Sequence, residues 1–222
     1  TLFPYTTLFR SVPVRLELER EDGRRVVRWP VPGDAEVEVP AGTWSWWASR
    51  GFEHAIASGS VVVPAGGTAR LVAEVPQVLD TAGWASIDTH VHASASPDSG
   101  VLDPLRARTV AAAGLDAAVI TDHEAISHLD GSALGVLLIP GSEVTATLPE
   151  HTNAWPFPVE EGPRGSAVDW RGRSLGGIYA AERARGARVV QLNHARVNRS
   201  CGILCLIDWD RLTGAPRLGD PT

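Results

Sequence analysis

Two periodicities divide the chain. From residue 12 to about residue 77, apolar positions recur at every second residue. Val12, Val14, Leu16 and Leu18 alternate with Pro13, Arg15, Glu17 and Glu19, as in a strand with one face buried. Asp22-Gly23 supplies a hairpin turn before a second run over residues 25–31. Further strands are expected over residues 36–39, 43–49, 55–63 and 69–75, separated by Pro-Gly, Ala-Gly and Gly-Gly steps. Short strands at this spacing predict a small antiparallel β-sandwich domain over residues 12–77, with residues 78–84 as linker.

From about Trp84 the pattern changes to strands followed by helices. A strand is expected over residues 85–90, then Asp103 as N-cap with Pro104 in the first turn of a helix closed by Gly114. Apolar runs over residues 117–121 and 135–139 read as two more strands. A helix over residues 174–185 ends at Gly186 and leads into a strand over residues 188–192. Alternating β and α units predict an α/β domain built on a parallel sheet or barrel over residues 85–222. In such barrels the chemistry gathers at the C-terminal ends of the strands.

Polar residues with metal-binding chemistry fall at those ends. His90-x-His92 closes the first strand, and residues two apart on a strand share a face, so both imidazoles reach one ion. Asp98 lies in the loop that follows. Asp122-His123 follows the second strand, Glu143 the third, and His194 the strand over residues 188–192, while His151 shares a loop with Asn153. Each alone reads equally as a surface or capping residue; their joint placement at one rim reads as a metal site. Imidazole and carboxylate without thiolate suit Zn²⁺, Mn²⁺ or Fe²⁺. Such an ion lowers the pKa of a bound water to about 7 and polarises a substrate oxygen, which fits hydrolysis of an ester, carbamate, amide or phosphoester. The chain has no P-loop and no G-x-G-x-x-G.

Composition narrows the partners. All 20 basic residues are Arg, and a net charge of −6 disfavours nucleic acid. No apolar run approaches the ~18 residues of a membrane span. Cys201 and Cys205 form neither a disulfide framework nor a four-ligand zinc pattern. Trp44, Trp46 and Trp47 are expected as packing residues, with carbohydrate contact as the other reading. Residues 1–11, TLFPYTTLFRS, resemble the in-frame translation of a sequencing-adapter oligonucleotide and are left out of fold reasoning. The start of the chain therefore assigns no compartment, whether secreted, periplasmic or cytoplasmic.

The segments DTHVHASASPDS, VITDHEAIS, IPGSEVT, EHTNAWPF and QLNHAR, in this order, resemble the motifs of the PHP (polymerase and histidinol phosphatase) superfamily. The H-x-N-x-x-P-F element and the preceding β-rich region are most similar to its carbaryl-hydrolase-like (CehA/McbA) branch. The resemblance implies a distorted (β/α)7 barrel with two or three divalent ions at the strand C-termini. It implies that His90 and His92 hold the first ion, that Glu143 bridges to a second held by His151 and His194, and that Asp98 and His123 take a third. Asp88 and Asp122 are implied as carboxylates orienting imidazoles, with Asn153 and Arg196 lining the substrate pocket and Glu143, Asp122 and Arg196 nearest the chemistry. The family's late Asp-x-His element does not follow His194, so the barrel is expected to be incomplete and the chain a fragment.

Two other readings compete. An amidohydrolase-type barrel also opens on H-x-H, but many of those bridge their metals with a carboxylated Lys, and this chain has no Lys. The second is a secreted carbohydrate-binding protein with a non-catalytic barrel. Against it stands the full set of His90, His92, Glu143, His151 and His194.

Overall fold

In the computed structural model, which describes residues 12–31, 36–146, 151–195, 204 and 208–217, the early alternation becomes one antiparallel sheet. Its strands are β1 (Arg15–Arg20), β2 (Arg25–Arg28), β3 (Gly42–Ser49) and β4 (Ala57–Val63), in the order β2-β1-β3-β4. Leu16, Leu18, Trp44 and Ala48 are buried on one face, the face that the period-two pattern assigns to the core. Trp44 is fully buried, and its indole N–H donates to the Pro40 carbonyl at 3.0 Å. A second sheet facing this one does not form among the described residues. Val37, Val39, Leu71, Ala73 and Val75 do pack on the core, and exposure still alternates along residues 36–40 and 69–76, but neither segment belongs to a named strand. The hydrophobic pattern dictates which side chains turn inward; ladder pairing needs a neighbouring strand as well.

The chain divides into two compact units. One is Thr1–Ser86 with Ala107–Asp116 and Gly131–Val136; the other is Ile87–Arg106 with Ala117–Asp130 and Leu137–Thr222. Within the first unit, the Arg50 guanidinium donates to the carbonyls of Pro13 at 2.9 Å and Ala111 at 2.8 Å. Helix α1 (Asp103–Ala112) contributes its first turn to the second unit and the remainder to the first.

The second unit contains two three-stranded sheets. A parallel one has the order β5 (Ile87–Val91), β6 (Ala117–Ile120), β7 (Leu137–Pro140). All four residues of β6 are buried, as expected of a central parallel strand covered on both faces. An antiparallel sheet has the order β10 (Val189–Leu192), β9 (His151–Trp155), β8 (Ser142–Thr145). Helix α2 (Leu175–Ala184) precedes β10; the Ser174 side chain caps it by accepting from Gly177 N at 3.2 Å. Ile178 packs with Val144 and Val168. The architecture is mixed α/β with few helices, and no closed barrel forms among the described residues. No helix is long and apolar enough to cross a membrane.

Gly141 connects β7 to β8 without a turn. Its N–H donates to the Ile120 carbonyl at 2.9 Å, and two residues on Glu143 N donates to the Asp122 carbonyl at 3.2 Å. The chain thus keeps pairing alongside β6 and the residues after it, which carries Glu143 beside His123 in a parallel bridge. A Cβ at Gly141 would lie 2.7 Å from Val119 Cγ1 and 3.0 Å from the Ala154 carbonyl. Gly141→Ala is therefore expected to destabilise the fold by about 1–3 kcal/mol, the usual cost of overpacking. Urea melts of the two proteins measure it, and an unchanged midpoint would show that this backbone relaxes freely.

Candidate metal centre

Glu143, the second residue of β8, is 1% exposed and stands at the middle of the second unit's polar cluster. Its Oε2 lies 3.2 Å from His90 Nε2, 3.1 Å from His92 Nε2 and 3.3 Å from His123 Nδ1. Its Oε1 lies 3.0 Å from His151 Nδ1, 3.4 Å from His194 Nε2 and 2.9 Å from Asn193 Nδ2. The five imidazoles form a closed circuit around it. Successive ring centroids are 5.0 Å (His90–His92), 4.7 Å (His92–His123), 5.6 Å (His123–His151), 4.8 Å (His151–His194) and 5.8 Å (His194–His90) apart.

Strand geometry brings these residues together. His90 lies in β5 and His92 just beyond it, and His123 follows β6. Because β9 is antiparallel to both neighbours, its first residue, His151, pairs with Thr145 at the end of β8, and Thr152 pairs with Leu192 at the end of β10. His194 follows two residues later. The ends of β5, β6 and β10, the first half of β8 and the start of β9 therefore supply one rim.

The hydrogen bonds fix where lone pairs point. Ser96 Oγ donates to Asp98 Oδ1 at 2.7 Å, so towards His92 Nδ1, 2.7 Å away, it can only accept. That assigns the proton of a neutral His92 to Nδ1 and leaves the Nε2 lone pair facing Glu143 Oε2, with His90 Nε2 only 2.9 Å away. Lone pairs at these separations repel unless a proton or a cation lies among them. The spacing suits a cation. Ligands about 2.0–2.2 Å from one ion are separated by about 2.9 Å at right angles and about 3.3 Å at the tetrahedral angle. The observed separations run from 2.9 Å to 3.4 Å.

Three groups of side chains can hold an ion: His90, Glu143 and His194; His92, Asp98 and His123; and His123, Glu143 and His151. In each, the ligand atoms lie within 4.8 Å of one another. These groups cut across the assignment that the sequence resemblance implies, since His194 joins His90 as well as lying beside His151. Asp98 reaches two imidazoles, with His92 Nδ1 and His123 Nε2 each at 3.2 Å.

Charge is balanced around the carboxylate. Burial pushes the Glu143 carboxyl up, but its close contacts with His151, His90, His92 and the Asn193 amide outweigh it and hold the group far below the usual carboxylate range. The bond to Glu143 holds His92 above its ordinary value. Burial, with His151 and His90 close by, pushes His194 below its own. The Ser96 hydroxyl keeps Asp98 low.

The remaining expected residues sit further out. Asp122 is completely buried, but its carboxylate accepts from the Ala93 amide at 2.6 Å and the Ser127 hydroxyl at 2.7 Å rather than from an imidazole. Asp88 accepts from His90 N at 3.0 Å, a backbone contact. Asn153 is buried and donates to the Thr89 carbonyl at 2.9 Å. Arg196, Cys201 and Cys205 lie outside the described residues. Sequence reasoning missed Arg164, whose guanidinium donates to the carbonyls of Ala95, Glu124 and His123 and so clamps the two loops that carry Asp98 and His123. An arginine in a loop after β9 carries no sequence signal for that role. Compared with protein-family models, with curated proteins and with solved structures, the chain has no match.

Proposed function

We propose that this chain is the core of a divalent-metal-dependent hydrolase of the PHP type, acting on a small-molecule ester, carbamate, amide or phosphoester. The observation that carries the reading is the single buried carboxylate touched by five imidazole nitrogens at ligand-like spacing. His90, His123, His151 and His194 would hold the ions with Glu143 shared between them, and Asp98 with His92 and His123 offers a further position. Imidazole and carboxylate donors without thiolate favour Zn²⁺, Mn²⁺ or Fe²⁺. Ions held there supply a Lewis acid for the scissile group and an acidified water. The protein's own contribution is orientation. Ser96 and Asp98 fix the His92 tautomer, and the Asp122 carboxylate pins Ala93 directly behind it. His194, at 40% side-chain exposure, is the most open of the five imidazoles and marks the side from which substrate reaches the cluster. A distorted (β/α)7 barrel belongs to the same proposal. A Glu bridge, in a chain without Lys, favours the PHP type over an amidohydrolase.

The test uses the full chain purified without chelators. Elemental mass spectrometry after incubation with Zn²⁺, Mn²⁺ or Fe²⁺ is expected to find one to three ions per folded chain, as the three ligand groups allow. Hydrolysis of aryl acetate, aryl carbamate or aryl phosphate should then depend on the added ion. A folded chain that retains none of the three metals would sink the reading.

A further inference from the structure

The carboxylate at the middle of the centre is held by a closed ring of amides that no ligand assignment includes. Thr89 Oγ1 donates to Gln191 Oε1 at 3.0 Å, and Gln191 Nε2 donates to Asn193 Oδ1 at 3.0 Å. Asn193 Nδ2 donates to Glu143 Oε1 at 2.9 Å and to Asn153 Oδ1 at 2.6 Å. Asn153 Nδ2 returns to the Thr89 carbonyl at 2.9 Å. The ring begins and ends on Thr89 in β5 and passes through β10 and β9, tying the parallel sheet to the antiparallel one at the level of the histidines.

Two acceptor-only groups determine every orientation in it. The Thr89 carbonyl requires the Asn153 NH2, which leaves Asn153 Oδ1 facing Asn193. Asn193 must then present its NH2 to both Asn153 and the Glu143 carboxylate, and its own oxygen to Gln191. Gln191 in turn gives its NH2 to Asn193 and takes the Thr89 hydroxyl proton. Flipping any one amide sets oxygen against oxygen or NH2 against NH2 elsewhere in the ring. Asn193 is 2% exposed and Asn153 fully buried, so water does not relieve such a clash.

We infer that Asn193 is a positioning residue for the metal bridge: the Thr89–Gln191–Asn193–Asn153 ring holds its N–H on Glu143 Oε1, fixing the carboxylate plane so that both oxygens face imidazole nitrogens. The inference rests on the proposed metal-site reading and deepens it. A donor on Oε1 takes one lone pair and leaves the other on the side of His151 and His194, while Oε2 faces His90, His92 and His123.

Co²⁺ alone is the probe, added to the metal-free chain and followed by visible absorption, which reports both affinity and coordination geometry. Asn193→Ala is expected to bind Co²⁺ about 10–100-fold more weakly, the usual cost of losing a partner of a metal ligand, with a changed band shape. Thr89→Val keeps the shape of the side chain and removes only the hydroxyl at the far end of the ring; it is expected to weaken Co²⁺ roughly five-fold through loss of network cooperativity. Thr89→Ser restores the hydroxyl and should restore binding, while the melting temperature of the metal-free protein stays within a few degrees across the Thr89 pair. Wild-type protein that binds Co²⁺, with Asn193→Ala and Thr89→Val binding as tightly and with the same spectrum, overturns the inference and leaves the metal reading standing. Thr89→Val and Thr89→Ser weakening alike, in step with lost thermal stability, makes the ring merely structural and also overturns it. Wild-type protein that binds no Co²⁺ overturns the metal reading and the inference together.

Discussion

Glu143→Gln is expected to lower affinity for divalent metal on the order of a thousandfold. The carboxylate is ionised despite its burial, because the surrounding hydrogen bonds overcome the cost of desolvation. Its two oxygens face three side-chain nitrogens each. Gln keeps the shape but removes the charge and turns one oxygen into a donor. Asn193 already presents an NH2 to the Oε1 side, so the new NH2 is driven to the Oε2 side. There it meets His90, His92 and His123, satisfies the lone pair that the Ser96 and Asp98 contacts leave on His92 Nε2, and occupies the position from which a shared ion would be ligated. Outer partners of a ligand cost ten- to a hundredfold, and loss of the ligating charge itself costs more. The measurement is metal content after dialysis against a graded chelator series, with His128→Gln as control, since His128 is exposed and outside the cluster. Equal retention by Glu143→Gln and wild type would remove Glu143 from the centre.

The parts of this centre that were legible in the sequence are those that parallel strands produce. Apolar runs such as residues 117–121, buried on both faces, can be read without knowing what covers them, and the polar residues just beyond them, His90, His92 and His123, fall on one rim by geometry alone. Two strands were not legible. Ser142–Thr145 and His151–Trp155 are four and five residues long and carry Glu143, Thr152 and Asn153 in buried positions. Hydrophobic periodicity does not register a strand whose inward residues are polar. Those residues are tolerated inside because they bond to one another and to the centre. The ring around Asn193 was invisible for the same reason, since its members are spread from Thr89 to Asn193 and only the fold makes them neighbours. Asp122 shows the converse case. The family resemblance implied an imidazole partner for it, whereas its carboxylate holds the backbone that follows His92. In the first unit, residues 36–39 and 69–75 were expected as strands; their exposure alternates but they find no pairing among the described residues, because the pattern that buries a side chain is indifferent to whether the backbone finds a ladder.

Glu182→Gln should stabilise the protein at neutral and alkaline pH and have little effect in acid. Glu182 is fully buried in α2. Its Oε1 accepts from Thr152 Oγ1 at 2.9 Å, while Oε2 has no hydrogen-bond partner among the described residues. Burial pushes the carboxyl up to about 7 from an ordinary 4.5, against smaller opposing contributions from Thr152 and Arg183. Between those two values the folded chain holds a proton that the unfolded chain has released, so stability falls as pH rises. The contribution is fully present below about 4.5 and lost by about 7. A difference of this size corresponds to about 3 kcal/mol. Gln carries no charge at any pH and resembles the protonated acid in shape and polarity. The gap in unfolding free energy between Glu182→Gln and wild type should therefore be small near pH 4.5 and widen to about 3 kcal/mol in favour of the variant by pH 8. Urea melts of the two proteins across that range measure the gap directly, and titrations common to both cancel. A gap that does not change with pH would mean that Glu182 titrates alike in both states. A gap that widens in the opposite direction would mean that the ionised carboxylate has a cationic partner in the folded protein, and that α2 rests on β9 through an ion pair rather than a neutral acid.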